Sequence, residues 1–228
     1  MASMTRSLRI DVYVDTVCPW CYLGKRRLAV ALAARAQHAP RVTWRPFELN
    51  PDLPVDGVDR ESYLTGRSVD RAALDRAHHT LVDLGRAQGI EFRFDRIGRI
   101  PNTRRSHLLV ALASRRGRAD AMLERLMRAY FEEGTDIGDF DTLVGLATEA
   151  GLEAREASRA IALRNGQDAI VAAQRHAASL GLSGVPTFVF NGEYALSGAQ
   201  EPAALAAAMD EAVAAPVAQP DGTGAVPG

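Results

Sequence analysis

An α/β fold split by a helical insertion is the architecture predicted for this chain of 228 residues. Three observations carry the prediction. A strand, a helix and a second strand open the sequence. A long block of helical period follows, from residue 58 to 165. Sustained β-character then returns near the end, as a strand pair closed by a helix.

Each element has its own signal. "LRIDVYVD" (8–15) alternates and is rich in β-branched residues, so it reads as a strand. "GKRRLAVALAARAQ" (24–37) joins strong helix formers to an apolar face, so a helix starts near Cys18. "RVTWRPFEL" (41–49) is the second strand, and Pro46, which cannot donate to a ladder, places it at an edge or at a strand end. From residue 58, "DRESYLTG", "VDRAALDRAHHTLVDLGRAQ", "TRRSHLLVALASRRG", "DAMLERLMRAYFEEG", "DFDTLVGLATEAG" and "EAREASRAIALRNG" follow one another at helical period, separated by Gly, Asn and Pro. Leu74, Ala77, Leu81 and Leu84 form one apolar stripe. Asp139 and Asp141 stand where an N-cap or first-turn acid is useful, and Asn102 or Thr103 can cap the helix after it. Within this block "IEFRFDR" (90–96) is the one segment that reads as a short strand, and it has no strand partner there.

"QDAIVAAQRHAASLG" (167–181) is a helix ending at Gly181. "GVPTFVFNGEYALSG" (184–198) is a hairpin turning at Asn191-Gly192. "EPAALAAAMDEAVAA" (201–215) closes the fold, with Pro202 in its first turn. The domain reading is therefore 1–57, an insertion at 58–165, a second part at 166–215, and a Pro/Gly-rich tail at 216–228 expected to be disordered.

Composition narrows the function. Hydrophobic residues at 47% and charged residues at 24% suit a soluble globular protein. A formal net charge of -1 gives no electrostatic case for nucleic acid or an anionic membrane. The N-terminal stretch lacks an apolar region of signal-peptide length, and no run suggests a membrane span, so a cytoplasmic location is expected.

Both cysteines fall in "TVCPWCYLGKRRL" (16–28). In a reducing compartment such neighbours point to catalysis or metal. Tetrahedral zinc needs two further ligands, and the five histidines (38, 78, 79, 107, 176) offer no pair at finger spacing, so no metal is expected. Haem attachment needs a histidine where Tyr22 stands. A structural disulfide closing so short a loop would constrain almost nothing. A C-x-x-C on a strand-to-helix turn in a βαβ context instead reads as a thioredoxin-type redox motif. Cys18 at the helix N-terminus is the nucleophile, Cys21 one turn on resolves the mixed disulfide, and Pro19 suits the first turn.

"CPWC" followed by "YLGKRRL", and "GVPTFVFN" followed by "YALSGAQ", resemble the DsbA family of oxidoreductases and its cytoplasmic FrnE-like branch. "WRPFELNP" (44–51), "NTRRSH" (102–107) and "YFEEGTDIGD" (130–139) share the likeness, which spans about residues 8–210. The resemblance implies a thioredoxin fold with a helical domain inserted after the second strand. It implies a cis Val185-Pro186 bond facing the Cys18 sulfur, and a loop that offers backbone groups to an extended substrate. Pro186 thus joins Cys18 and Cys21 as a catalytic candidate, and Pro19, Trp20 and Val185 are substrate-binding candidates.

Periplasmic members carry Pro-His between the cysteines, whereas this chain has Pro19-Trp20. A couple less oxidising than about -120 mV is expected, nearer roughly -200 to -270 mV. The dipeptide is closer to glutaredoxin's Pro-Tyr, which brings in glutathione as a candidate redox co-substrate; no other cofactor is expected. Partners are protein or small-molecule thiols and disulfides, and oligomeric state is unreadable.

Asp15 can act on the thiols as a buried acid, although a strand-end acid facing water is the default. His107 can line the cleft, against a default of a polar-face histidine. Trp20 can contact substrate or pack against the insertion. Arg104 and Arg105 can attract a carboxylate or lie on a solvated face. Two alternative functions remain open. Kappa-class glutathione transferases and 2-hydroxychromene-2-carboxylate isomerases resemble this chain in fold but usually place Ser where Cys18 stands. A non-catalytic thioredoxin-fold chaperone or adaptor is the other, and FrnE-like proteins are associated with polyketide pathways.

Overall fold

The computed structural model describes residues 7–164 and 166–215. Its main sheet has four strands, β1 (Arg9–Val14), β2 (Arg41–Pro46), β5 (Thr187–Phe190) and β6 (Tyr194–Ser197), in the order β2-β1-β5-β6. β1 runs parallel to β2, with Arg9 opposite Arg41 and Val14 opposite Pro46. It runs antiparallel to β5, with Ile10 opposite Phe190 and Tyr13 opposite Thr187. β2 is an edge strand and Pro46 ends it, which is the position a residue without an N–H can hold.

The period of two sorts side chains between the sheet's faces. Ile10, Val12, Val14, Phe188 and Phe190 join the core shared with α1 (Pro19–Ala34) and α9 (Pro202–Ala214), which pack on each other. Tyr13 and Val189 face the other way, onto Ala177 of α8 (Gln167–Ser179). This is a thioredoxin fold, and its helical insertion enters after β2.

The insertion holds α2 (Arg60–Gly66), α3 (Arg71–Arg86), α4 (Arg104–Arg115), α5 (Ala119–Arg128), α6 (Phe140–Glu149) and α7 (Ala154–Ala162). Asp59, Asp70 and Asp139 each accept a backbone N–H in the first turn of their helices, contributing about 1 kcal/mol apiece. Of the predicted stripe on α3, Leu81 is fully buried and its neighbours partly so. The core is continuous from the sheet through α1 into α4, α5 and α6.

Two expectations are corrected. Residues 90–93 form no strand, and Phe94–Arg96 is a 3-10 turn. Ile90 and Phe92 are buried while Glu91 is exposed, so the alternation reports a buried side without a ladder partner. The helical block does contain a strand pair, β3 (Val58–Asp59) against β4 (Arg99–Ile100). Each is two residues long, too short to leave a periodic trace. The helix expected through "DAMLERLMRAYFEEG" widens at Ala129–Glu133 into a π-helical turn, stopped by Gly134 at φ 73°. The tail at 216–228 lies outside the described residues.

Candidate active site

Cys18 is the N-cap of α1, with extended backbone angles (φ -92°, ψ 112°). Its N–H donates to the Asp15 carbonyl at 3.1 Å, and its own carbonyl accepts from Cys21 and Tyr22 at 3.0 and 3.2 Å. Pro19 occupies the first helical position, where an N–H has no partner to find. No side chain caps this end, which leaves the helix's partial positive charge to the Cys18 sulfur.

The Val185-Pro186 peptide bond is cis. The Cys18 Sγ stands 3.6 Å from the Val185 carbonyl, so the loop faces the thiol across the sheet end. Thr187 Oγ1 donates to the Gly184 carbonyl at 2.8 Å, and Gly198 N–H donates to the Pro186 carbonyl at 2.8 Å, which hold the loop from both sides. Pro19 and Trp20 follow Cys18 directly in the chain, and Trp20 is 37% exposed. Both cysteines carry free thiols. Cys18 is 4% exposed and Cys21 is fully enclosed. Burial drives the Cys21 thiol well above its ordinary value, and the neighbouring Cys18 adds to the effect.

Asp15 does not face water. It is completely buried, its Oδ2 accepts the Leu49 N–H at 2.8 Å, and its Oδ1 meets His107 Nε2 at 3.2 Å. His107 is therefore no polar-face residue; α4 turns it inward, 2% exposed, behind the cysteines' helix start. Beside this pair, Thr16 and Ser106 share a buried hydroxyl–hydroxyl bond of 2.8 Å. The acid expected to act on the thiols and the histidine expected to line the cleft thus meet, although 92 positions separate them.

The arginines at the start of α4 are engaged by protein partners while remaining partly exposed. Arg104 clamps Glu48 with two bonds of 3.0 and 2.9 Å, and Glu48 is itself buried. Arg105 donates to the Gly138 carbonyl at 3.0 Å. Asn102 accepts the Arg104 N–H at 3.0 Å, so it, and not the Thr103 side chain, satisfies that helix start.

A second polar cluster was hidden from sequence reasoning. The Tyr22 hydroxyl lies 2.7 Å from Glu132 and 3.0 Å from Glu124. Lys25 reaches Glu124 at 2.9 Å and Asp120 at 3.0 Å, and Arg26 reaches Glu124 at 2.6 Å. Burial pushes the Tyr22 phenol strongly up. Burial acts in the same direction on Glu124, but Lys25 and Arg26 outweigh it and hold that carboxyl below its ordinary value. This cluster fastens α1 to α5 and the π-helical turn. Among the described residues, no three His, Cys, Asp or Glu side chains are grouped to hold a metal.

Residues 9–210 match the family model of the DsbA-like thioredoxin domain. The chain belongs to the DsbA-like thioredoxin family. Its thiol oxidoreductase character follows from that membership and from the two adjacent thiols. This DsbA-like protein is similar to the crystal structure of a probable DsbA oxidoreductase from Streptomyces coelicolor, at 33% identity and a TM-score of 0.84, covering 97% of this chain and 100% of the other. The cytosolic disulfide reductase DsbM from Pseudomonas aeruginosa, solved with GSH, shares the fold at 22% identity and a TM-score of 0.66, over 89% and 97% of the two chains. A 2-hydroxychromene-2-carboxylate isomerase also shares the fold, at 18% identity and a TM-score of 0.67, over 89% and 95%. Among the described residues of the DsbA-like chain, no helix is long and apolar enough to cross a membrane.

Proposed function

We propose that this protein is a cytoplasmic thiol–disulfide oxidoreductase in which Cys18 attacks and Cys21 resolves, with glutathione as redox co-substrate. The observation that carries the reading is the free Cys18 thiol at the N-cap of α1, its sulfur 3.6 Å from the Val185 carbonyl, with the second free thiol, Cys21, in the first turn of the same helix. The Cys18 thiolate attacks a substrate disulfide RS–SR′, forming Cys18–S–SR and releasing R′S⁻, which takes a proton from water. Cys21 then loses its proton and attacks the Cys18 sulfur, expelling RS⁻ and leaving a Cys18–Cys21 disulfide. Two electrons have passed to the substrate. Two molecules of reduced glutathione restore the dithiol and leave as glutathione disulfide.

Pro19, Trp20 and Val185 form the substrate contact in this reading. Trp20 offers a flat exposed face, and the loop at Val185 offers backbone groups to an extended peptide or to glutathione. A glutathione-dependent isomerase would have no use for Cys21, so a second free thiol one helical turn from the first favours the dithiol route. Residues 58–165 act as the insertion that walls the site through α4.

The test is a trapping experiment with an oxidised protein substrate and with glutathione disulfide. Cys21→Ser should accumulate a mixed disulfide on Cys18 visible by intact mass, and Cys18→Ser should form none. Adduct formation on Cys21 in the Cys18→Ser variant, at the wild-type rate, would contradict the assignment.

A further inference from the structure

Arg104 and Arg105 share a cavity that the thiol chemistry does not use. It opens between α4, the end of α7 and the start of α8, with a volume of about 180 Å³. Val55, Leu108, Phe140 and Ile161 give it an apolar lining, and Arg104, Arg105 and Arg164 add three cationic groups. Among the described residues, no Asp or Glu lines it, and neither the cysteines, nor Trp20, nor the Val185-Pro186 loop reaches it.

We propose that this cavity is a binding site for a small aromatic monocarboxylate, its ring on the apolar lining and its carboxylate on the arginines. The inference stands apart from the dithiol reading. Size selects the ring: a cavity of about 150 Å³ lined by Leu, Ile and Phe already holds benzene, and Phe140 supplies an aromatic face or edge for it to meet. Charge selects a single carboxylate. Arg104 is matched by Glu48, which takes its Nε and Nη2. Arg105 donates to the uncharged Gly138 carbonyl at 3.0 Å and meets Asp56 only at 3.7 Å, an acid whose side chain is 89% exposed. Arg164 has no ion-pair partner among the described residues. One unmatched positive charge beside an apolar wall fits one negative charge on an apolar body.

The backbone at Arg164 is a second, independent observation. Arg164 lies just past α7 with φ 51°, in the left-handed region where a helix end ordinarily carries Gly or Asn. A long side chain held there has a conformational cost, and such outliers concentrate at ligand sites. Among the described residues, no hydrogen bond or ion pair of the guanidinium offsets that cost within the protein. Gly166 follows at φ 100°, and a Cβ on it would stand 3.7 Å from Leu108 Cδ2, so the connection from α7 to α8 passes against the lining. Gln167, the first residue of α8, also lines the cavity. The ligand therefore touches both the insertion and the second part of the thioredoxin fold.

The experiment titrates the reduced full chain with phenylacetate by amide-detected NMR, with uncharged phenylacetamide and straight-chain octanoate as comparisons. Phenylacetate should bind saturably, about tenfold more tightly than the amide, with shifts concentrated at Leu108, Phe140, Ile161 and Gln167. Arg164→Gly removes the charge and gives the left-handed turn the residue that suits it. It should weaken phenylacetate about tenfold while the melting temperature without ligand stays equal or rises. Arg105→Gln should also weaken binding, which keeps the test open if the glycine variant fails to fold. No saturable binding, equal affinity for acid and amide, tighter binding of octanoate, shifts centred on Cys18 and Trp20, or unchanged affinity in both variants would overturn the proposal. None of these outcomes bears on the dithiol mechanism, which is read by trapping at Cys18.

Discussion

The space where a Cβ would stand on Gly24 is 3.0 Å from Pro186 Cγ and 3.3 Å from the Phe188 ring. α1 can approach the cis-proline loop this closely because Gly24 has no side chain there, and that approach sets the Cys18 sulfur against Val185. Gly24→Val should push the loop away, destabilising the protein by about 1–3 kcal/mol. The rate of mixed-disulfide formation at Cys18 should fall more than stability alone explains. Denaturant titration and trapping kinetics on the same variant separate the two effects.

The clamp between α1 and α5 makes a second prediction. Glu124→Ala leaves Lys25, 6% exposed, without its inner carboxylate, and should cost about 3 kcal/mol. The folded Glu124 carboxyl titrates below its ordinary 4.5, so its contribution is present above that pH and is lost as pH falls through the folded value. Thermal melts of wild type should therefore weaken in acid by a share that Glu124→Gln lacks. Identical acid sensitivity in the two proteins would contradict the clamp.

Glu48 tests the support behind the site. Glu48→Leu removes the bidentate partner of Arg104 and disrupts the segment that gives the Leu49 N–H to Asp15. A loss of about 2 kcal/mol is expected, tempered because Arg104 is partly solvated and can find water. Urea denaturation measures it.

Trp20 should behave in the opposite way. It is 37% exposed, so Trp20→Ala should cost only modest stability, about 1 kcal/mol. If the ring contacts substrate, KM for a protein disulfide rises several-fold while the redox potential of the dithiol stays put. An unchanged KM would remove Trp20 from the substrate face.

Legibility in the sequence followed locality. The cysteine pair, Pro19, the Asn191-Gly192 turn and the cap at Asp139 are signals within a few residues, and each stands where its local chemistry places it. Asp15 and His107 could be noticed singly, but each by itself looked like a surface residue. Their meeting depends on α4 folding back from the insertion onto the end of β1, which no periodicity encodes. The same holds for Tyr22, Lys25 and Arg26, whose carboxylate partners lie about a hundred residues away. Residues 90–96 misled because alternation marks burial on one side, and a strand needs a neighbour as well.

The central claim is that Cys18 and Cys21 form one two-electron couple. Equilibrating the protein in graded glutathione redox buffers, acid-trapping it, and counting free thiols and adducts by intact mass tests this most directly. Both thiols should disappear together along a single two-electron curve, with a midpoint at roughly -200 to -270 mV. A pair that stays reduced throughout, or one thiol that only accumulates a stable glutathione adduct, would contradict the dithiol mechanism.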